Sequence, residues 1–116
     1  MSIVNLGKET RDKIMDVNHF ISDIAWIGNY RFQVAIDEFF EVADNTNYDN
    51  GYGTNYVPVD LMIVFKNGDS LRRFEYDGSE YWKFYPGLTK PASLRHFKID
   101  KFTDIKYCWE LDECVR

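Results

Sequence analysis

Clustered carboxylates are the side chains in this sequence whose spacing best suits chemistry. Asp37, Glu38, Glu41 and Asp44 lie one to four residues apart, and Asp49 follows them. Such acids can transfer protons or hold a divalent metal. A metal site, however, normally takes ligands from more than one element, and acids on a helix surface are usually only solvated. The cluster is therefore interpreted either as a solubilising face or as a docking face for a basic surface.

Nucleophiles and soft metal ligands are few. His19, His96, Cys108 and Cys114 are the only histidines and cysteines, and the cysteine spacing matches neither a redox pair nor a zinc knuckle. Nothing in the spacing supports a Cys108–His96 nucleophile and base pair. The sequence also lacks the serine elbow, the phosphate-binding glycine loop, the metalloprotease helix motif and the dinucleotide fingerprint. We therefore expect a protein that is not an enzyme, with no cofactor, no metal and reduced thiols.

The charge is acidic and unevenly distributed. Residues 1–60 hold 4 Lys and Arg against 10 Asp and Glu, whereas residues 61–116 hold 10 against 9. A phosphate backbone would repel such a chain, so direct nucleic-acid binding is not expected. No apolar run approaches the length of a membrane span or of a secretory leader. We expect a cytoplasmic protein without membrane contact.

Two helical periods open the chain. The first has apolar residues at three- and four-residue steps and predicts a helix over about 9–25. A Gly-Asn break at 28–29 follows, and a second period predicts a helix over about 32–43 whose outer side carries the four acids. A stretch rich in Asn, Gly and Asp then predicts a long loop over 44–56 that presents Tyr48, Tyr52 and Tyr56 to a partner.

Strand signals fill the second half. The segment 57–65 alternates like a strand, Asn67-Gly68 predicts a hairpin into 71–76, and Asp77-Gly78 predicts a second hairpin into 80–85. Two further short strands are expected at 95–99 and 104–109. The fold class is therefore α+β in a single domain (1–116), with two N-terminal helices packed on one face of a four- to five-stranded antiparallel sheet over 57–109.

The segment 72–82 concentrates aromatic and charged residues around the second turn. One interpretation is structural: Arg72 or Arg73 pairs across the strands with Glu80, and the rings fill the sheet face. The other is a contact patch, because aromatic anchors ringed by charge are typical of binding hot spots. This patch comprises Glu75, Tyr76, Asp77, Glu80, Tyr81 and Trp82.

Three parts of the sequence resemble small uncharacterised proteins encoded by bacteriophages and prophages. They are the run 39–44 (FFEVAD), the loop 48–53 (YDNGYG) and the block 60–65 (DLMIVF) leading to 75–82 (EYDGSEYW), within a match over about residues 32–91. The resemblance implies a setting: small acidic phage proteins of this kind often bind and inhibit a host protein, as anti-CRISPR and other anti-defence proteins do. It assigns no functional residue.

The leading hypothesis is a non-enzymatic, phage-encoded inhibitor that occludes a bacterial nuclease or another defence protein. Its expected partner-binding residues are Asp37, Glu38, Glu41, Asp44, Tyr48, Asp49, Tyr52, Tyr56, Asp77, Glu80 and Trp82. One alternative is a binder that sequesters a nucleotide signal, with rings stacking on a base and Arg72, Arg73 or Arg95 meeting a phosphate. Another is an immunity protein for a toxin. The sequence also leaves open a homodimer in which a free edge strand pairs with a second copy of the chain.

Overall fold

The computed structural model describes residues 3–51, 56–87, 93–99 and 111. Within these residues the chain forms two α-helices, a short 3-10 turn at Ile21–Asp23 and eight strands. The helices are α1 (Leu6–Asp16) and α2 (Ile36–Asp44), and the strands are β1 (Ile3–Asn5), β2 (Ile24–Gly28), β3 (Phe32–Val34), β4 (Asn47–Asp49), β5 (Met62–Phe65), β6 (Ser70–Tyr76), β7 (Ser79–Tyr85) and β8 (Arg95–His96).

The strands form two sheets. β1 and β4 pair in a small antiparallel sheet, and the other six described strands lie in the order β7-β6-β5-β2-β3-β8. All neighbours in the larger sheet are antiparallel except β3 and β8, which run parallel. The α+β class is confirmed. The expected antiparallel sheet of four to five strands is wrong in detail, because the described sheet is mixed and has six strands.

Both helices pack against the same face of the large sheet. The main core combines helix side chains with inward-facing strand residues, including Leu6, Ile14, Phe39, Phe40, Ile27, Ile63, Phe65, Leu71 and Trp82. Each such fully buried side chain contributes roughly 1.5–3 kcal/mol to folding. A smaller cluster of Trp26, Met62 and Val64 lies apart from this core, with Ala25 and Leu94 packed against it.

The predicted first helix is wrong beyond Asp16. Asn18 takes a left-handed φ of 62°, and the amides of His19 and Asn18 donate to the carbonyls of Ile14 and Met15. This is the double hydrogen bond that ends many helices, with Asn in the position that needs positive φ. The apolar residues beyond it form β2, which lies in the middle of the sheet between β5 and β3. Because β2 is largely buried, its short apolar run does not distinguish strand from helix.

The predicted second helix begins too early, because Phe32–Val34 is strand β3. β2 and β3 form a hairpin in which Asn29 turns the chain, its side-chain oxygen accepting from the amides of Arg31 and Phe32. Gly28 is required there, since an added Cβ would lie 2.2 Å from the carbonyl oxygen of Phe32. The helical pattern of apolar residues that starts at residue 32 therefore spans two different elements, β3 and α2, which both bury apolar side chains.

The segment 44–56 contains more structure than expected. Residues Asn47–Asp49 form β4, which pairs with β1 in the register Ile3↔Asp49, Val4↔Tyr48 and Asn5↔Asn47. The following strand prediction was too long: Val57 is buried, but a turn lies at 59–60 and β5 starts at Met62. Residues 52–55 lie outside the described part of the chain.

Both hairpin predictions are confirmed. Asp77 and Gly78 both have positive φ, 51° and 86°, as a tight two-residue turn requires. In the β5–β6 turn only Gly68 of the Asn67-Gly68 pair has a positive φ, at 95°. The β6–β7 pair runs from Ser70↔Tyr85 to Tyr76↔Ser79. The expected strand at 95–99 is reduced to β8, and the one at 104–109 lies outside the described residues.

Candidate partner-binding surfaces

The acidic residues of α2 do not form one equivalent group. Asp37 and Glu41 are exposed. Glu38 instead accepts a hydrogen bond from the Ile99 amide at 2.9 Å, which holds the backbone at Ile99 against α2. Asp44 binds both terminal nitrogens of Arg11 on α1. This guanidinium hydrogen bond lowers the pKa of Asp44. Among the described residues neither Asp37 nor Glu41 forms an ion pair, so these are the two acids that the helix presents outward.

Tyr48 was expected on a mobile, exposed loop, and this prediction is wrong. Its ring is 2% exposed, and its hydroxyl donates to Glu9 on α1 and accepts from the Arg73 guanidinium at 2.8 Å. Burial raises the pKa of Tyr48. The reason is the pairing of β4 with β1, which places the Tyr48 side chain on the core side. Tyr48 therefore stabilises the fold and has no surface left for a partner.

Arg73 is the centre of a buried polar cluster, defined here as Glu9, Tyr48, Arg73 and Glu80. Its side chain is 2% exposed, lies 3.1 Å from the Glu80 carboxylate and 3.6 Å from that of Glu9, and stacks 4.8 Å from the Trp82 ring. A charge in such surroundings is tolerated only when paired and hydrogen-bonded. Arg73 was one of the expected phosphate contacts, but it lies too deep to meet a ligand.

Glu80 was predicted to face a partner, and it too is buried, with a side chain 3% exposed. Its carboxylate accepts from the backbone amides of Tyr56 and Val57 at 2.7 and 3.1 Å, and its own amide donates to the Asn50 carbonyl at 2.8 Å. Burial raises the pKa of Glu80, although these donors and Arg73 oppose the shift. Glu80 thus fastens the segment after β4 to the edge of β7.

Trp82 is the third predicted contact residue that the fold buries. Its ring is 2% exposed, and its indole nitrogen donates to the Thr10 hydroxyl at 2.9 Å. That hydroxyl in turn donates to the Leu6 carbonyl at 2.7 Å, within α1. Trp82 therefore joins the hairpin to α1, as the structural interpretation of this segment requires.

The remaining predicted contact residues are dispersed. Asp77 is exposed in the β6–β7 turn, whereas Asp49 is half-buried and accepts from the Gly51 amide. Tyr56 is half-buried, with its ring 6.1 Å from that of Tyr48. Tyr52 lies outside the described residues, as do Cys108 and Cys114. The structure does not bring these residues together with the acids of α2 into one site.

The outer face of the β6–β7 hairpin was missed as a unit. Alternation along the two strands places eight residues on the side away from the helices. Two of them are Ser70 and Ser79, and we call the other six the ribbon outer face: Arg72, Phe74, Tyr76, Tyr81, Lys83 and Tyr85. The rings of Phe74 and Tyr81 lie 5.7 Å apart, and the Lys83 ammonium lies 4.3 Å from the Phe74 centroid. The period-two alternation of this segment could have separated these residues from Arg73, Glu80 and Trp82.

A second polar cluster joins the 3-10 turn to the β5–β6 turn. The His19 ring stacks on Phe65 with centroids 4.0 Å apart, and its two nitrogens lie 3.3 Å from Asp23 and 3.1 Å from Asp69. The contact with His19 is the largest cause that lowers the pKa of Asp69. The pKa of Asp23 is also lowered, first by the Phe20 amide and then by His19. Because each member of this cluster contacts another residue of the cluster, we interpret it as an interaction that stabilises the fold.

Two of the grooves on the described surface are large enough to consider as ligand sites. One, of about 540 Å³, lies between α1, β1 and β7 and has mixed charges from Lys8, Asp12 and Lys13 on its wall. The other, of about 730 Å³, is mainly apolar and is lined by β2, β3 and α2. Neither contains any of the three arginines expected to meet a phosphate: Arg72 lies on the ribbon outer face, Arg73 in the core and Arg95 beside Phe97.

Among the described residues, no three His, Cys, Asp or Glu side chains are arranged to hold a metal ion. Likewise, no helix within that part of the chain has the length and apolar character needed to cross a bilayer. Comparison with known proteins found no matching family model, no matching curated protein and no matching solved structure. A functional proposal must therefore come from the surfaces themselves.

Proposed function

We propose that this chain is a non-enzymatic protein-binding inhibitor that occludes a basic surface of a partner protein. The observation that supports it is the charge of α2. This helix carries four carboxylates and no basic residue, whereas α1 carries three acids and three bases. A concentrated negative surface steers association with a positive one.

The contact surface in this proposal is narrower than the sequence indicated. Asp37 and Glu41 are four residues apart and share one side of the helix, opposite the buried Phe39 and Ala43. Asp44 lies on the same side of the helix, but its ion pair with Arg11 already neutralises part of its charge. The proposed docking face is therefore the Asp37–Glu41 half of α2.

The non-enzymatic part of the proposal is supported by how the reactive side chains are used. Glu80, Glu38 and His19 each have partners within the protein that a catalytic acid or base would have to leave. The setting implied by the sequence resemblance, a phage protein that blocks a bacterial nuclease or another defence protein, belongs to the same proposal. A basic nucleic-acid groove on such a target has the charge that this face complements.

The test is an affinity capture from nuclease-treated bacterial lysates with quantitative mass spectrometry. Wild-type protein is compared with D37N/E41Q, which keeps the side-chain shapes, and with D12N/D16N, which removes the same charge from exposed positions on α1. We expect the wild type and the α1 control to capture one stoichiometric partner. D37N/E41Q should lose this partner as the salt concentration rises. Equal capture by all three proteins would show that the α2 acids are not the contact.

A further inference from the structure

The ribbon outer face has a charge opposite to that of the whole protein. It contains Arg72 and Lys83, and no carboxylate of the hairpin shares it, because Glu75 and Glu80 alternate to the other side and Asp77 lies in the turn. The chain as a whole has a net charge of −5. This face is therefore a local positive surface on an acidic protein.

Its two cations are held by aromatic rings and not by acids. Lys83 lies 4.3 Å from the Phe74 centroid and 5.6 Å from that of Tyr85, and Arg72 lies 4.6 Å from Tyr85. Over the described residues neither cation has a carboxylate partner, whereas Lys8 and Arg11 on α1 both do. Cation–π contacts orient a charge without neutralising it, so both cations can still bind an anion.

The rings beside these cations are accessible. Tyr76 is 70% exposed and Tyr81 is 39% exposed. Exposed aromatic rings interleaved with cations on a β surface are the elements with which proteins bind single strands: bases stack on the rings and phosphates meet the cations.

We propose that the ribbon outer face binds single-stranded nucleic acid, with bases stacked on Tyr76 and Tyr81 and phosphates contacting Arg72 and Lys83. An acidic peptide would use the two cations but leave the rings in water, so the rings favour a ligand with flat faces. A duplex would offer phosphates but keep its base faces stacked inside. Single strands supply both groups.

The acidic helix does not prevent this binding, although whole-chain charge argued against it. The helices pack on the inner face of the sheet, so the α2 acids and the ribbon outer face lie on opposite sides. Across a layer of that thickness, salt at about 0.1 M screens most of the repulsion between exposed charges. The inference is also independent of the protein-binding proposal, since it uses the other side of the sheet.

Fluorescence anisotropy with a labelled 15-nucleotide dT strand tests the inference directly. The same length of duplex DNA and a labelled poly-glutamate peptide serve as comparison ligands. We expect the dT strand to bind at least about tenfold more tightly than either, as stacked bases each contribute about 1–3 kcal/mol. Two phosphate contacts predict a log–log salt slope of about −1.4, or up to ~sevenfold weakening between 50 and 200 mM salt.

Surface variants locate the site without disturbing the core. Tyr76→Ala is expected to weaken binding about fivefold or more, and Lys83→Met to reduce the salt slope by about 0.7. The matched controls are Tyr30→Ala, which removes a ring that is 61% exposed elsewhere, and Lys8→Met on α1. Neither control should change binding, and all four proteins should retain the wild-type circular dichroism spectrum.

Three results would overturn the inference. One is the absence of dT binding at protein concentrations up to about 100 μM in 50 mM salt, and another is equal binding of dT and poly-glutamate. The third is equal weakening by Tyr76→Ala and Tyr30→Ala. None of these would affect the capture experiment on α2, so the two proposals can fail separately.

Discussion

The two faces of the β6–β7 hairpin carry similar residue types but use them differently. On the inner face Arg73, Glu80 and Trp82 are almost fully buried, and each is bonded to another element of the fold. On the outer face the contacts of Arg72 and Lys83 with described residues are to neighbouring side chains of the hairpin, and Tyr76 is mostly in water. One face connects the protein internally, and the other is available for binding.

In this hairpin the residue type therefore does not indicate whether a side chain is buried or exposed. The position along the strand does, because successive residues alternate between the two faces of the sheet. Arg72 and Arg73 are adjacent in sequence, yet one lies at the surface and the other in the core. Mutations of neighbouring residues should therefore separate stability from binding. The following predictions test that division, from the largest expected effect to the smallest.

Arg73→Met should destabilise the protein most, by about 3–5 kcal/mol, because it leaves the buried Glu80 carboxylate without its cation. Arg72→Met, the control one residue away, removes a cation–π contact with Tyr85 and a long hydrogen bond to Ser70, and should cost about 1 kcal/mol or less. Urea unfolding followed by tryptophan fluorescence measures both. Similar losses for the two variants would contradict the division into faces.

Glu80→Gln should cost about 2–3 kcal/mol, since an amide NH₂ replaces one carboxylate oxygen that accepts buried hydrogen bonds. Hydrogen exchange at Tyr56 or Val57 should accelerate, because these amides donate to different oxygens of Glu80 and one of them loses its acceptor. Glu75→Gln is the matched control, as Glu75 is exposed and, within the described part of the chain, accepts from the Gly78 amide in the turn. Unchanged exchange at both Tyr56 and Val57 in Glu80→Gln would show that Glu80 does not hold this segment.

Thr10→Val should cost about 1–2 kcal/mol, because it removes the acceptor of the Trp82 indole N–H while keeping the side-chain shape. Thr10→Ser retains the hydroxyl and should cost less. Thermal unfolding of both variants measures the difference. If valine is tolerated as well as serine, the link between the hairpin and α1 contributes nothing to stability.

His19→Phe should lower Tm modestly, because it keeps the ring stack on Phe65 but removes both carboxylate contacts. Asp23 and Asp69 have lowered pKa values in the folded protein, so their contribution is present above the unfolded value of about 3.9 and is lost as the pH falls through the folded values. The Tm difference from wild type should therefore shrink between about pH 5.5 and about pH 2.5. The exposed His96→Phe should show no such pH dependence.

Much of the second half of the fold was predictable because its signals are local. Asn67-Gly68 and Asp77-Gly78 define tight turns through the backbone conformations these residues tolerate, so β6 and β7 follow at nearly the predicted bounds. The first half was less predictable. The apolar residues of 24–28 and 32–34 fit either a buried helix or a buried strand. Only the pairing of β2 with β3 and with β5 shows that both segments are strands.

The candidate site was predictable to a similar extent. The acids of α2 lie on a helix as expected, and the segment 72–82 contains residues that now define the ribbon outer face. Tyr48, Glu80 and Trp82 could not be assigned correctly, since their partners Glu9, Tyr56 and Thr10 lie 24 to 72 residues away in the chain. No local pattern reports such a distant bond.

The amino-acid sequence by itself determined the α+β class, both tight hairpins and the concentration of acids on one helix, because turn geometry, side-chain alternation and charge are properties of neighbouring residues. Only the tertiary structure decided which polar and aromatic side chains are buried. Burial depends on which elements meet: β4 on β1 turns Tyr48 inward, and α1 against the hairpin covers Trp82. The same packing leaves the ribbon outer face in solvent, where a ligand can reach it.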